Sequence, residues 1–494
     1  RNRGAKLVVV DPYNTPTAKK ADMHLMLRPG TDGALACAVM HVLFRDGHVD
    51  RDYLRDFTDA SPEFERHLDA RSPDWAAKIT GLTVAEIEAF AALYGQTKRS
   101  FLRVGYGFSR SRNGAVNVHA VTCLPAITGA WRHKGGGALY GNTMLYNVDQ
   151  SVIKGLDRVP ADTRVMDQSR IGDVLTGNPE DLQGGPPVTV LFVQNTNPLV
   201  VAPETLKVKK GFERDDLFVC VHEQFMTETA AMADIVLPAT MFLEHDDLYQ
   251  ASGHTFLQTT RKVVEAPGEC RSNHWVLNEL AARLGIDHPG FSMTEHELIE
   301  RTLSDSGLPG EAEMYEKHWH DCADDFSGSN FLNGFHTPDG RFHFKPDWSR
   351  VGPHAEGLPS FPDHWSTIDA ASDEFPYRLV AAPARKFLNT TFTETPSSQK
   401  KEGRPTVLIH PSDCANLGIA EGDRVSVANA LAEIVLHAKV FEGLQPGTVV
   451  VESIWPNSAF EGELGVNALV SAEPGKPNGG AVFHDTAVSI RSAR

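Results

Sequence analysis

The feature that most constrains the fold is a largely apolar, Val-rich run at residues 6–10 that ends directly in Asp11 and Pro12. Apolar residues in succession, without alternation, are typical of a buried parallel strand. The Asp–Pro pair opens a loop at the carboxyl end of this strand, the edge where open α/β sheets bind ligands. The next residues predict a short helix at 15–22, a strand and turn at 25–33, and an apolar helix at 34–44. This βαβα order predicts an α/β fold with a parallel sheet.

Further elements of the same kind follow along the chain. A capping Thr and apolar spacing predict an amphipathic helix at 83–94, before a strand at 100–106. Buried strands are predicted at 188–193, 217–221 and 234–238, and a helix at 274–284. Residues 300–375 are rich in Pro, Gly, His, Trp and Asp, which predicts irregular chain. From Tyr377 onward, short strands between Gly and Pro turns, at 424–427, 432–440 and 447–451, indicate a β-barrel.

Composition excludes several classes of function. The formal net charge of -17 disfavours nucleic-acid or anionic membrane partners. No apolar run reaches the roughly 18 to 20 residues of a membrane helix, so we expect no membrane insertion. No G-x-G-x-x-G follows the first strand, which argues against a nicotinamide-dependent dehydrogenase. The cysteines occur singly, without a CxxC pair, which argues against a disulfide framework, a zinc site or an iron–sulfur cluster: Cys37, Cys123, Cys220, Cys270, Cys322 and Cys414.

His318, His320 and Cys322 form the single local cluster of metal-ligand type in the sequence. If the segment is helical, His318 and Cys322 lie one turn apart. The cluster has no closing fourth ligand and lies in the stretch predicted to be irregular. We therefore expect a structural role for it and no metal ligand within this chain.

Several segments together resemble one family. Residues 8–43, VVVDPYNTPTAKKADMHLMLRPGTDGALACAVMHVL, are similar to the molybdopterin oxidoreductase superfamily, which includes formate dehydrogenases, nitrate reductases and dimethyl sulfoxide reductase. The segments LFVQNTNPLVVAP at 191–203, 217–247 and 265–285 match the same superfamily in order and spacing. The segment RPTVLIHPSDCANLGIAEGDRVSVAN, then LQPGTVVVESIWP and Asn467, resembles its C-terminal pterin-dinucleotide-binding barrel.

The resemblance implies a multi-domain α/β chain with Rossmann-like parallel-sheet domains and a C-terminal β-barrel of the double-psi type. We assign residues 1–105 to an α/β dinucleotide-cofactor domain that is incomplete at its N-terminus. Residues 106–290 form a second α/β cofactor domain, residues 291–374 an irregular connector, and residues 375–494 the barrel.

The implied activity is two-electron redox or oxygen-atom transfer on a small-molecule substrate. The implied cofactor is a molybdenum or tungsten bis(molybdopterin guanine dinucleotide), with an electron-transfer subunit or redox protein as partner. The metal ligand and one [4Fe-4S] cluster are expected before residue 1, so no catalytic residue is assigned. The cytoplasm is favoured over the periplasm, although the compartment stays open. The alternative is a non-catalytic assembly or electron-transfer subunit like the large iron–sulfur subunit of respiratory complex I; the polar residues kept at Asp11, Asn197 and Asn273 count against it.

Carried over position by position, the resemblance implies cofactor contacts in four groups. One guanosine end is assigned to Asp11, Tyr13, Asn14, Thr31 and Asp32. The other dinucleotide is assigned to Asn197, His222, Glu223, His245 and Asn273. A glycine-bearing loop is formed by Gly105, Tyr106 and Gly107. In the barrel, the pterin and diphosphate contacts are assigned to Arg385, Lys386, Asn389 and Thr390, with Trp455, Asn467, Phe483 and His484 near other contacts.

Some of these positions carry alternatives. His245 stands where the family often has a basic residue, and Asn273 where it often has Asp. Trp455 and Phe483 are equally well explained as core aromatics. Polar residues at or beyond the glycine loop are candidates for a substrate funnel, with salt-bridged surface groups as the alternative: Arg110, Arg112, His119 and His133.

Overall fold

The first part of the chain pairs short parallel strands around a helical core. The computed structural model describes residues 2–366, 371–452 and 454–493. Its first elements are β1 (Val8–Val10), β2 (Met23–Leu25), α1 (Asp32–Arg45), α2 (Arg51–Phe57), α3 (Pro62–Asp69), α4 (Pro73–Thr80), α5 (Val84–Gln96), β3 (Phe101–Arg103), α6 (Gly114–Ile127) and β4 (Gly137–Leu139). β1 pairs with β2 and β3 with β4, both in parallel. Helix α1 is almost wholly apolar and packs against α4, α5 and α6, so it forms the centre of this core.

The structure confirms the first parallel strand, β1, and the capped helix, α5, and it differs from the prediction in local detail. β1 is only half-buried, because in the described residues it has one neighbouring strand. The predicted helix at 15–22 is reduced to one 3-10 turn, Ala18–Lys20. The second strand, Met23–Leu25, begins and ends earlier than the strand and turn predicted at 25–33, and the predicted turn contains the left-handed Gly30 (φ 75°).

The second part builds a parallel sheet and an antiparallel one. Its elements are α7 (Ser151–Lys154), α8 (Ile171–Leu175), β5 (Val190–Gln194), α9 (Pro198–Val201), α10 (Thr205–Phe212), β6 (Phe218–Glu223), α11 (Glu228–Ala231), β7 (Ile235–Pro238), β8 (Asp247–Tyr249), β9 (Phe256–Thr260) and α12 (Asn273–Leu284). Strands β5, β6 and β7 lie side by side in parallel. Helices bury Val193 and Val219 on one face, whereas Val190 and Phe218 on the other face are exposed. The strands predicted to be buried therefore carry exposed residues on one face, although His222 near the end of β6 is buried there.

The stretch predicted to be irregular is partly helical. It contains α13 (Glu295–Asp305), α14 (Glu311–Lys317), β10 (His320–Asp321) and α15 (Phe326–Ser329). Helix α13 begins with a capping box between Thr294 and Glu297, a local signal that the abundance of Pro and Gly downstream obscured. Further on, Phe344 stacks on Phe64 of α3 at a ring distance of 4.3 Å and joins the first core. The domain boundaries at residues 105, 290 and 374 stay predictions.

The C-terminal part closes into a barrel, as the sequence predicted. Its elements are β11 (Tyr377–Ala382), α16 (Pro396–Glu402), β12 (Thr406–Ile409), α17 (Pro411–Leu417), β13 (Arg424–Ala428), β14 (Glu433–Val440), β15 (Thr448–Glu452) and β16 (Thr486–Ser492). The strands close in the order β11-β15-β12-β14-β13-β16. Two neighbouring pairs are parallel and the others antiparallel. Apolar residues fill the interior, and the fold class predicted from the sequence is confirmed.

None of the helices in the described residues is both long and apolar enough to span a lipid bilayer.

Candidate functional site

The loop after β1 is fastened to the barrel. The backbone N–H of Asn14 donates to the Gly443 carbonyl at 2.8 Å, and Tyr13 forms an antiparallel bridge with Leu444. The Tyr13 hydroxyl donates to Oε1 of Glu452 at 3.2 Å. Burial, with the nearby Glu452 carboxylate, raises the pKa of Tyr13 well above its usual range, so this hydroxyl stays protonated. The carboxyl end of β1 therefore lies directly against the barrel.

Asp11 and Asp32 bring two carboxylates to this end of β1. Burial raises the pKa of Asp11, although its Oδ1 accepts a bond from the Tyr13 N–H at 3.2 Å. Burial raises the pKa of Asp32 to about 6, and the negative charge of Asp11 adds to that shift. Thr31 is buried, and its hydroxyl donates to the Arg28 carbonyl at 2.6 Å. Three of the predicted guanosine contacts thus share one partly buried, acidic environment.

The loop after β3 faces the barrel with open backbone. A side chain at Gly105 would have no atom within 4 Å, so a ligand can approach its backbone. A Cβ on Gly107 would lie 3.9 Å from Cε1 of His484. The N–H of His484 donates to the Arg110 carbonyl at 2.7 Å, which fastens this loop to the barrel. Tyr106 packs edge-on against Tyr140 at 5.2 Å.

A small cavity of about 30 Å³ lies between this loop and the barrel. Its lining includes Arg110, Asn389, Asn467 and Phe483, and the Arg110 guanidinium lies 5.6 Å from the centre of the Phe483 ring. Asn467 is 1% exposed, and its amide nitrogen donates to the Val200 carbonyl at 2.8 Å. Its Oδ1 is buried without a hydrogen-bond partner among the described residues. Because an unpaired buried carbonyl is costly, this oxygen is suited to accept a bond from a ligand.

His484 is neutral at physiological pH. Burial, followed by the positive charge of Arg110, lowers its pKa to about 4. One ring nitrogen, Nε2, lies 3.0 Å from the Ala381 carbonyl. Its position next to Gly107 and Arg110 makes it the contact between the glycine-bearing loop and the barrel.

Of the two aromatic candidates, one belongs to the core. Trp455 is 6% exposed and packs edge-on against Phe387 at 4.9 Å inside the barrel's apolar cluster. Phe483 is half-buried and lines the small cavity. The core interpretation therefore describes the surroundings of Trp455 better than those of Phe483.

The loop after β11 presents exposed donors. Arg385, Lys386 and Asn389 are exposed, and Thr390 next to them is half-buried. Asn389 takes a left-handed conformation with φ 52°, which Asn tolerates better than most residues. Two cations and an amide on one loop are suited to phosphate oxygens.

A larger cavity of about 1030 Å³ lies at the carboxyl ends of β5, β6 and β7. The polar residues that line it include Asn195, Gln224, Thr240, His245 and Asn273. Nδ1 of His245 lies 2.8 Å from the Thr240 hydroxyl, and the Asn273 amide donates to Oδ1 of Asn195 at 3.5 Å. The sequence interpretation missed Asn195, Gln224 and Thr240. The available signal was position, because each follows closely on the end of a strand.

Other predicted contacts direct their polar atoms into the protein. The Asn197 amide donates to Oε2 of Glu228 at 3.0 Å, and its oxygen accepts from the Thr229 hydroxyl at 2.6 Å. His222 is 1% exposed, and its two ring nitrogens each lie 3.1 Å from protein partners. The carboxylate of Glu223 accepts from the N–H of the next residue. Direct cofactor contact by these three side chains stays a prediction.

The four candidate funnel residues lie in different environments. Arg110 lines the small cavity, whereas Arg112 is buried and pairs with Asp485 at 3.1 Å, so it is neither a funnel nor a surface group. His119 is half-buried, and its Nε2 lies 2.9 Å from the His343 carbonyl. The funnel interpretation is wrong for Arg112, because its guanidinium is held in a buried ion pair. For His119 it stays a prediction. His133 is half-buried.

His318, His320 and Cys322 lie on a turn and a strand rather than on a helix. His318 has φ 71°, and His320 pairs with Leu257 across β10 and β9. The backbone N–H of Cys322 donates to the Thr255 carbonyl at 3.0 Å. Among the described residues, no group of three or more His, Cys, Asp or Glu side chains is arranged to hold a metal ion.

The chain is similar to proteins of one family in sequence and in fold. Residues 1–283 match the family model described as Molybdopterin oxidoreductase, and residues 377–487 match the Molydopterin dinucleotide binding domain. The chain is 34% identical to the probable oxidoreductase YoaE of Bacillus subtilis, over 99% of the chain and 71% of that protein. It is 27% identical to the F420-dependent formate dehydrogenase 1 subunit alpha of Methanococcus maripaludis, over 91% of the chain and 67% of that protein. Acetylene hydratase from Pelobacter acetylenicus has the same fold, with a TM-score of 0.81, 21% identity, and coverage of 100% of this chain and 74% of the other.

Proposed function

Because this chain belongs to the molybdopterin oxidoreductase family, we propose that it cradles a molybdenum or tungsten bis(molybdopterin guanine dinucleotide) cofactor and catalyses two-electron redox chemistry on a small molecule. The family and the dinucleotide-binding domain make the chain a molybdopterin-dependent oxidoreductase. The metal, the oxygen-atom transfer and the assignment of individual residues are the parts that we propose.

The observation that carries the proposal is the convergence of three strand-end loops on one barrel. The loop after β1 meets the barrel at Gly443, and the loop after β3 meets it at His484. The segment after β5 meets it where Val200 accepts a bond from Asn467. Because ligands of α/β folds bind at such strand ends, a cofactor with several separate groups could contact all three loops at once.

The residues present fit such a cofactor. Ionised Asp11 and Asp32 would accept hydrogen bonds from the N–H groups of one guanine. The large cavity at Asn195, His245 and Asn273 would hold the second nucleotide. The exposed cations on the loop after β11 would bind phosphate oxygens, as would the open backbone at the glycine-bearing loop after β3.

The unpaired Oδ1 of Asn467 would accept a hydrogen bond from a cofactor N–H group in the small cavity. Neutral His484 would add no charge beside Arg110. When bound, the cofactor would supply a metal centre that exchanges two electrons.

An electron-transfer partner and one [4Fe-4S] cluster belong to the same proposal. The six cysteines of this chain are free thiols, and none is placed in a CxxC pair. We therefore assign the cluster ligands to polypeptide other than residues 1–494, and we assign no residue of this chain as the metal's protein ligand. The name of the methanogen relative, a subunit alpha, supports a partner subunit.

The test is metal and nucleotide analysis of the protein purified from a host that makes the cofactor. We expect one molybdenum or tungsten atom and two guanine nucleotides per chain after acid release. Asp11→Ala should lower the retained nucleotide, whereas Asp74→Asn, at an exposed position in the first turn of α4, should not. A folded protein that carries neither metal nor nucleotide would overturn the proposal in favour of the non-catalytic assembly subunit.

A further inference from the structure

Two buried amides hold the loop that carries Thr31 and Asp32. Asn113 and Asn117 are 0% and 1% exposed and lie at the start of α6, more than eighty residues from that loop. The Asn113 amide donates to the Gly30 carbonyl at 2.8 Å and to the Trp365 carbonyl at 2.9 Å. The Asn117 amide donates to Oδ1 of Asn113 at 3.1 Å and contacts the Gly30 carbonyl at 3.4 Å.

Asn117 also caps α1 from another helix. The residue at the N-cap position, Thr31, makes no side-chain bond to the first turn of α1, because its hydroxyl donates backward to Arg28. Instead, the free N–H of Gly33 donates to Oδ1 of Asn117 at 3.0 Å. The first N–H groups of a helix need such acceptors, so α6 completes the N-terminus of α1.

The hydrogen bond between Gly33 and Asn117 requires glycine at position 33. A Cβ on Gly33 would lie 2.7 Å from Oδ1 of Asn117, so a larger residue would displace the amide. The Gly30 carbonyl accepts hydrogen bonds from the amides of both Asn113 and Asn117. Gly30 has a φ of 75°, which favours glycine. Either side of Asp32, the backbone is thus fixed by α6, at Gly30 and at Gly33.

We propose that Asn113 and Asn117 are positioning residues for the guanosine end of the cofactor, because they fix the backbone on both sides of Thr31 and Asp32. This inference rests on the proposed function, since it assumes that Asp32 and Thr31 meet the nucleotide. The two asparagines touch the loop and not the ligand. Their loss should therefore weaken nucleotide binding through misplacement of Asp32.

The test uses GDP as the probe and the purified protein from a host that does not make the cofactor. Isothermal titration gives the Kd, and thermal melting gives the Tm of the same samples. For Asn117→Ala we expect a Kd about tenfold weaker, which corresponds to one lost hydrogen-bond contribution. We also expect faster amide exchange at residues 28–33.

Asn142→Ala is the matched control. Asn142 is 7% exposed and also donates to two backbone carbonyls, at Ala251 and His254, away from the loop. It should lower the Tm to a similar extent and leave the Kd for GDP unchanged. If Asn117→Ala fails to fold, Asn113→Ala gives the same comparison, because it leaves the bond from Gly33 in place.

The outcomes separate the two proposals. A wild-type Kd that Asn117→Ala and Asn113→Ala leave unchanged, despite a lower Tm, would overturn the positioning role and leave the proposed function standing. If the wild-type protein binds no GDP and, from a cofactor-making host, retains no guanine nucleotide, both proposals fall.

Discussion

A polar side chain can bind a ligand only with the atoms that are not already hydrogen-bonded within the protein. Asn197 and Asn467 are both buried asparagines that the sequence interpretation assigned to the cofactor. Both polar atoms of Asn197 are bonded to Glu228 and Thr229, whereas Oδ1 of Asn467 has no partner in the described residues. The two differ because their neighbours come from distant parts of the chain. Sequence position alone had assigned both of them to cofactor contacts.

Burial of the Asp32 carboxylate makes the stability of the protein depend on pH. Its folded pKa, about 6, lies above its ordinary value, so the folded state holds more protons between about pH 4 and pH 6. The free energy of unfolding should fall as the pH rises through this window and stay lower above it. Asp32→Asn should therefore be about 1 to 3 kcal/mol more stable than wild type at neutral pH and equal to it near pH 4.

Urea unfolding at the two pH values measures this difference, with the exposed Asp74→Asn as control. A variant that is less stable than wild type at neutral pH would mean that partners stabilise the Asp32 carboxylate more than burial destabilises it.

His484 should change the stability with pH in the opposite direction to Asp32. Burial and Arg110 lower its pKa to about 4, so between about pH 6.5 and pH 4 the unfolded chain binds a proton that the folded one does not. Stability should rise with pH through that window and be lost on acidification. His484→Gln should reduce the loss between neutral pH and about pH 4.5 by about 2 to 3 kcal/mol.

Unfolding free energies at both pH values provide the measurement, and the exposed His318→Gln should leave the acid loss unchanged. An equal acid loss in His484→Gln and wild type would show that the ring is protonated in the folded protein.

At the scale of elements, the sequence located a helix where its capping signal lies within the helix itself. The capping Thr83 predicted α5, and the structure confirms it with a full capping box, in which the Thr83 N–H donates to the Glu86 carboxylate. The N-terminus of α1 carries no such signal, because its acceptor comes from Asn117 on α6. Capping partners three residues apart are visible in the sequence, whereas partners from another helix are not.

Gly33 shows how closely α1 is packed at its first turn. A Cβ there would lie 2.6 Å from the Asp363 carbonyl oxygen and 2.7 Å from Oδ1 of Asn117. Alanine is favoured over glycine in a helix by about 1 kcal/mol, but overpacking of this kind costs about 1 to 3 kcal/mol. Gly33→Ala should therefore lower the free energy of unfolding.

Thermal or urea unfolding checks this expectation against Gly253→Ala, where a Cβ meets no atom within 4 Å. A stabilised Gly33→Ala would contradict the close packing between α1, α6 and Asp363.

For the whole molecule, one buried carboxylate joins the barrel to the glycine-bearing loop and α6. Asp485 accepts from Arg112 at 3.1 Å and from Arg378 at 3.0 Å, and its side chain is 0% exposed. Arg112 lies between the loop after β3 and α6, whereas Arg378 is on β11. Removing one partner of a buried ion pair is strongly destabilising, because the remaining charges lose their compensation.

Asp485→Asn should lower the free energy of unfolding by about 3 to 5 kcal/mol. It should also separate the unfolding of the barrel from that of the α/β part. Differential scanning calorimetry would show a second transition. Glu461→Gln, which breaks the exposed pair with Arg424, should cost less than about 1 kcal/mol. A single unchanged transition in Asp485→Asn would mean that apolar contacts alone join the two parts.

The sequence by itself determined the α/β class, the closed barrel and the position of most polar strand-end loops. It could do so because apolar runs, helix caps and turns depend on residues that are close in the chain. Only the tertiary structure decided that Val190 and Phe218 are exposed on one face of the sheet, that Arg112 is buried in an ion pair, and that Asn195 lines the large cavity. The physical reason is that burial, ion pairing and hydrogen-bond partners depend on contacts between residues far apart in sequence. Asn117 is such a case, because its partner Gly33 is brought to it only by the packing of α1 against α6.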